Sequence, residues 1–478
     1  PAGTTPSLYV DGNKVPATWD PATGTLTPVN PLPEGPHQLS YSLSDAAGNE
    51  SGQSPALSVT VDTTPPAQPA AATTYNDNAA PVLDPVSTAP VTNDSTPGLN
   101  IGPVPAGTTP SLYVDGNKVP ATYDPVAGTL TPTQALAEGP HQLAYTLTDA
   151  AGNESPRSPA LALTVDTVAP AQPSAPASYN DDTAPVLNPS STAPATNDTT
   201  PGINVGKNLA DTPSLYVDGV KVPATYDPAT GTLTPVTPLS EGPHQLAYTL
   251  TDAAGNESPL SPALALTVDT TAPTQPSAPT SYNDNAAPVL DPVSTAPATN
   301  DSTPGLNVGK NLTDTPSLYV DGVKVDAVYD PVAGTLTPVT PLSEGLHQLA
   351  YSLTDAAGNE SPRSLALPVT VDTIAPATPS APSGYNDDAA PVLNPSSTAP
   401  TTNDSTPGLN IGPVPAGTTP SLYVDGVKVP ATYDPATGTL TPVSPLPEGP
   451  HEISYTLTDA AGNESGRSPA LSVTVDTT

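Results

Sequence analysis

The stretch EGPHQLSYSLSDAAGNESGQSPALSVTVDTT, residues 34–64, decides how this chain folds. His37, Leu39, Tyr41 and Leu43 alternate with Gln38, Ser40, Ser42 and Ser44, the period of two expected of a strand with one buried face. Leu57, Val59 and Val61 alternate with Ser58, Thr60 and Asp62, which predicts a closing strand beside the first, with the DAAGN turn and a Pro/Ser stretch between them. Upstream, Leu8-Tyr9-Val10 runs into Asp11-Gly12, a dipeptide that tolerates the positive φ of a tight hairpin, and Lys14-Val15 leads away. Asp20-Pro21-Ala22-Thr23-Gly24 reads as a turn before the strand Thr25-Leu26-Thr27, and Gly98-Leu99-Asn100-Ile101 supplies a further strand. No stretch places apolar residues at i, i+3, i+4 and i+7 over three turns, and prolines would interrupt such a helix. The reading is all-β: about seven short strands in about 100 residues, the expectation for an immunoglobulin-like β-sandwich.

That unit is copied. SLYVDG starts at Ser7, Ser111, Ser214, Ser317 and Ser421, in steps of 104, 103, 103 and 104 residues. A period near 103 matches a self-sufficient small domain rather than a solenoid repeat. The predicted domains are 1–65, 66–169, 170–272, 273–375 and 376–478. Pro1 aligns with Pro105, so the first copy lacks what Tyr75 to Val104 supply to the second, and the chain is expected to be an excerpt of something longer. Near-identical copies argue for length, valency or spacing rather than five separate chemistries.

The chain has 46 acidic and 10 basic residues and a formal charge of −36, which disfavours nucleic acid or an anionic membrane as partner and favours cations. It has no cysteine, so neither a disulfide nor a thiol is available. Low apolar content and 70 prolines lean toward disorder, but a solvated linker has no reason to keep the alternation above. The single Trp19 is replaced by Tyr123, Tyr226, Tyr329 and Tyr433 in the other copies, which reads as packing rather than ligand binding. One histidine per unit, His37, His141, His244, His347 and His451, follows Glu-Gly at the mouth of a strand. With no serine or carboxylate at triad spacing, it reads as a strand-end packing residue, and no enzymatic activity is expected. Lys14, Lys118, Lys221, Lys324 and Lys428 follow an exposed turn and read as solvated rather than as isopeptide crosslinks.

Oxygen-bearing side chains gather at the junctions between units. Asp62 precedes Asp77, Asp166 precedes Asp181 and Asp182, Asp269 precedes Asp284, and Asp372 precedes Asp387 and Asp388. The TND loops add Asn93 and Asp94, Asn197 and Asp198, Asn300 and Asp301, and Asn403 and Asp404. The DAAGN turns add Asp45 and Asn49, Asp149 and Asn153, Asp252 and Asn256, and Asp355 and Asn359. In a sandwich, the turn before the last strand, the end of that strand and the start of the next domain are expected to meet at one pole. Carboxylates mixed with amide and backbone carbonyls are what a hard cation such as Ca²⁺ requires. Asp, Asn and Gly are also ordinary turn formers, the plainer reading of DAAGN.

The order VDTTAP, YNDD, TNDTTP, EGPHQL and LTDAAGNESP resembles, over the whole length, the bacterial Ig-like repeats in the extender regions of giant biofilm-associated and epithelial adhesins of Gram-negative, RTX type. The resemblance implies an extracellular, surface-anchored rod secreted by a type I pathway, with calcium at the domain boundaries and the ligands named above. The partners expected are calcium ions, neighbouring repeats, and a glycan or cell-surface receptor bound outside this stretch, with no nucleic acid and no membrane insertion. Two other readings remain open: a multivalent array in which each repeat contacts glycan or a neighbouring cell's adhesin, and a disordered acidic stalk.

Overall fold

The computed structural model describes residues 3–184, 186–391 and 393–478, and every regular element among them is a strand. These residues fall into two compact units, one of residues 3–177, 203–236 and 245–264, the other of residues 178–202, 237–244 and 265–478. The second repeat lies wholly in the first unit; the fourth and fifth lie wholly in the second.

Ten strands build the second repeat: β1 (Tyr75–Asp77), β2 (Asp84–Ser87), β3 (Val91–Thr92), β4 (Gly98–Asn100), β5 (Thr109–Val114), β6 (Asn117–Val119), β7 (Ala121–Asp124), β8 (Thr129–Pro132), β9 (Gly139–Thr148) and β10 (Leu161–Val165). One sheet runs β7-β8-β4-β1-β2 and the other β6-β5-β9-β10-β3. All pairings are antiparallel except β3 with β10, where Val91 faces Thr164 and Thr92 faces Val165. This short parallel pair brings the TND and VDT motifs side by side. The DG hairpin and the closing strand predicted from sequence are β5-β6 and β10.

Between the sheets lie Tyr75, Leu99, Leu112, Leu130, Leu143, Tyr145 and Leu163, all buried. Gly98 sits in β4 because a Cβ there would stand 2.7 Å from the Thr131 hydroxyl on the adjacent strand. The fourth and fifth repeats have the same two sheet orders. Their cores use Tyr282, Leu306, Leu318 and Leu349, and Tyr385, Leu409, Leu422 and Ile453.

The alternation in β9 predicts one solvated face, but residues 143–147 are buried on both. After the DAAGN turn the chain folds back along β9: the Ser155 amide donates to the Leu147 carbonyl at 2.9 Å and the Ser158 amide to the Tyr145 carbonyl at 2.9 Å. Small polar Thr146 tolerates that cover because its hydroxyl donates to Glu154 at 2.5 Å. The first repeat has no residues corresponding to β1–β4, and its remaining strands form a four-stranded and a two-stranded sheet. Its Tyr41 is 49% exposed, whereas the equivalent Tyr145 is 6% exposed.

Candidate metal centre

The strand ends place two carboxylates of each complete repeat in its interior. In the second repeat, Asp77 closes β1 and Asp94 follows β3, and both are buried. The Thr92 hydroxyl donates to Asp77 Oδ2 at 2.7 Å, and the Thr92 Oγ1 also accepts the Asp94 amide at 3.0 Å. Asp94 accepts the Asn78 amide on Oδ2 at 3.2 Å and the Thr96 amide on Oδ1 at 2.8 Å. Sequence reasoning overlooked the threonine of TND, which ties the two acids together; its identical recurrence at Thr196, Thr299 and Thr402 is the signal for it.

The same pair recurs as Asp181 with Asp198, Asp284 with Asp301, and Asp387 with Asp404, all buried. Burial pushes the Asp181 and Asp284 carboxyls above their ordinary value; hydrogen bonds from Thr196 and Thr299 oppose that, and the neighbouring Asp198 and Asp301 charges add to it. Beside the pair, Asn93, Asn197 and Asn300 donate through Nδ2 to the Ala80, Ala184 and Ala287 carbonyls at 3.1–3.3 Å. Their buried Oδ1 atoms accept no hydrogen bond, nor does Asp387 Oδ1. Asp182 and Asp388, by contrast, are exposed.

The DAAGN turn does not meet the end of its own domain, as the sequence reading expects. Gly139 at the start of β9 pairs with Val165 at the end of β10, so the turn after β9 lies at the opposite pole. There it touches the preceding repeat. Asn153 Nδ2 donates to the Asp62 carbonyl at 2.9 Å, Asn256 to Asp166 at 2.8 Å, Asn359 to Asp269 at 2.7 Å and Asn463 to Asp372 at 2.6 Å. The Asn197 and Asn300 amides donate in turn to the Ala357 and Ala461 carbonyls at 3.0 and 3.1 Å.

The DAAGN carboxylates are engaged within their own turns. Asp149 Oδ1 accepts the Ala151 and Asn153 amides, each at 2.9 Å, and Oδ2 accepts Asn153 Nδ2 at 3.0 Å. Asp45, Asp252 and Asp355 are bonded alike. The side-chain hydrogen bond from the turn asparagine is the first cause holding Asp45 and Asp149 below the usual carboxylate range. The side chains of Asp62, Asp166, Asp269 and Asp372 cap the residue two further on at 3.0–3.2 Å.

Among the described residues, no three His, Cys, Asp or Glu side chains gather closely enough to hold a metal ion. A cation here would need amide or backbone oxygens beside two carboxylates. The TND site offers that donor set: two buried acids and an asparagine Oδ1 without a donor, all hard oxygen. The buried acid pair with an orphaned amide oxygen therefore fits a hard divalent cation.

The histidine is committed elsewhere. His37 Nδ1 lies 2.7 Å from Asp11 Oδ2 and Nε2 lies 2.9 Å from the Pro33 carbonyl, so both ring nitrogens are engaged. The lysines are not simply solvated: Lys14, Lys221 and Lys428 pair with Glu50, Glu257 and Glu464 at 3.1–3.4 Å.

A family model described as a bacterial Ig-like domain matches residues 86–167, 174–270, 293–373 and 394–477, more than half of the chain. No curated protein matches the sequence. Among solved structures, the chain is similar to a tetra-tandem repeat in the extending region of a large adhesion protein, at 16% identity over 81% of this chain and 98% of that one, TM-score 0.21. It is also similar to part of a 1.5-MDa bacterial ice-binding adhesin, at 16% identity over 58% and 91%, TM-score 0.22. A third likeness is to SGBP-B of Bacteroides ovatus in complex with a mixed-linkage heptasaccharide, at 18% identity over 71% and 78%, TM-score 0.16.

Proposed function

We propose, because the chain belongs to the bacterial Ig-like domain family, that it is a structural extender of a bacterial cell-surface adhesin. Its repeats space a terminal adhesive region from the cell for biofilm formation or host attachment, calcium stiffens the joints, and export follows a type I pathway. The observation that carries this reading is the joint: at all four boundaries the asparagine of DAAGN grips the carbonyl of the preceding VDT aspartate. The residues that would hold calcium are Asp77, Asp94 and Asn93 and their counterparts, the acids supplying charge and the amide a neutral oxygen. Calcium would there neutralise two buried like charges that otherwise oppose burial.

The extender reading is favoured over an array of binding modules by where the aromatics lie. Tyr75 and Tyr145 are buried in the core, and the hydroxyls of Tyr113 and Tyr123 are bonded to Glu154 and Gly102. Thermal unfolding of the whole chain in EDTA and in millimolar Ca²⁺ tests the metal, since a ligand of the folded state alone raises stability. An upward shift in Tm that Asp181→Asn and Asp284→Asn reduce is expected; identical melting in both buffers would refute calcium at these joints. Small-angle scattering tests the spacing role: the maximum dimension should grow with Ca²⁺ and shrink with chelator.

A further inference from the structure

We propose that the histidine of the repeat is a protonated pin that locks the Asp-Gly hairpin to the long strand, and that the hairpin tip is released as pH rises.

The geometry leaves the ring little choice. In the second repeat, His141 Nδ1 lies 2.7 Å from Asp115 Oδ2 and Nε2 lies 2.8 Å from the Ala137 carbonyl. His347 lies 2.8 Å from Asp321 and 2.9 Å from the Ser343 carbonyl; His451 lies 2.8 Å from Asp425 and 2.8 Å from the Pro447 carbonyl. Neither a carboxylate nor a carbonyl can donate, and a neutral imidazole has one N–H. Only the imidazolium satisfies both contacts at once.

An arginine also reaches the hairpin, through its backbone: Arg363 Nη1 donates to the Gly322 carbonyl at 2.9 Å, and Arg157 and Arg467 lie beside Gly116 and Gly426. The ion pairs of Asp115, Asp321 and Asp425 among the described residues are with the histidines. Across the sheet the ring faces Val59, Leu163, Val369 or Val473. In the fourth repeat the Ser343 hydroxyl approaches His347 at 3.4 Å, and Asp326 lines the same cavity as His347. The nearest other acid along the chain, Glu138 before His141, is spent on the Thr167 amide.

The pinned aspartate holds the hairpin. Asp115 has a φ of 51°, the left-handed conformation a tight turn requires, followed by Gly116 at 82°. Its amide donates to the Gln142 carbonyl at 3.0 Å, and its Oδ1 accepts the Gln142 amide at 2.8 Å while Oδ2 holds the histidine. When the ring loses its proton, one of two acceptors at 2.7–2.9 Å loses its donor and two lone pairs are forced together.

The titration directions agree. At His37 the Asp11 hydrogen bond, then the Pro33 carbonyl, raises the imidazole above its ordinary value; at His141, His347 and His451 burial opposes the charge, and the carbonyl and aspartate outweigh it. A raised folded value means the pin contributes fully below about pH 6.5 and is lost as pH climbs through the folded value. Asp115 and Asp425 are depressed, so the lower limit lies on the acid side, as those carboxyls protonate.

Nitrogen-detected NMR of the full chain across pH 5 to 10 tests this. The rings of His37, His141, His347 and His451 should show both nitrogens protonated at pH 6.5 and titrate above it; neutral rings at that pH would overturn the proposal. Asp425→Asn should move the His451 midpoint down by about one unit or more, as loss of an adjacent opposite charge does; an unmoved midpoint would equally overturn it. Exchange protection of the Asp425 and Glu452 amides, corrected for intrinsic base catalysis, should fall through the His451 midpoint, and protection unchanged across it would refute release of the tip.

Discussion

Tyr123 donates its hydroxyl to the Gly102 carbonyl at 2.8 Å and accepts the Val104 amide at 3.2 Å. That double contact fixes the loop after β4. Tyr123→Phe should lower stability by about 1 kcal/mol, the usual net worth of a hydrogen bond, read by chemical denaturation. Glu50 is the other telling residue. The Ser42 hydroxyl first, then Tyr9 and Lys14, hold it down from 4.5 to about 2. A depressed carboxylate contributes stability above its unfolded value and loses it as pH falls toward about 2. Carboxyl-detected NMR should find Glu50 titrating below the ordinary glutamate range and Ser42→Ala raising its midpoint.

At the scale of elements, the strand pattern was legible and the segment along the edge of β9 was not. Period-two alternation places Leu143, Tyr145 and Leu147 inward. It carries no information about Ser155–Ser158 running back along the edge of β9, where their amides donate to the Leu147 and Tyr145 carbonyls and their hydroxyls accept the Leu147 and Tyr145 amides, because alternation within a strand does not say which segment pairs with its edge. The candidate site divides the same way. The oxygen-rich motifs could be read from the chain, but their grouping could not: β9 and β10 run antiparallel, so DAAGN and VDT of one repeat sit at opposite poles. Only the pairing register reveals which neighbour each faces. Leu99 is fully buried between Tyr75 and Leu130 on adjacent strands, so Leu99→Ala should cost about 2–5 kcal/mol. A matching loss for Leu306→Ala and Leu409→Ala would confirm that the repeats share one core.

For the molecule as a whole, the joints decide behaviour. Gly358 has a φ of +99°, and a Cβ there would stand 2.9 Å from Val186 Cγ2 of the preceding repeat; Gly255 meets Val82 and Gly462 meets Val289 in the same way. The glycine is thus required twice, for the turn and for close approach. Gly358→Val should leave the folded core of the fourth repeat intact while loosening its joint, seen as faster proteolysis between residues 269 and 282 with little change in circular dichroism. Asn359→Ala, which removes the bond to the Asp269 carbonyl, should do the same more mildly. The joint has a further consequence for how such a gene changes. Because the contact linking Asn153 to Asp62 is made again by Asn256, Asn359 and Asn463, any repeat's leading pole matches any other's trailing pole. Unequal crossing-over between near-identical repeats would add or delete whole copies without creating a mismatched boundary, so reach can evolve in quanta of one domain while the chemistry of every seam is inherited unchanged.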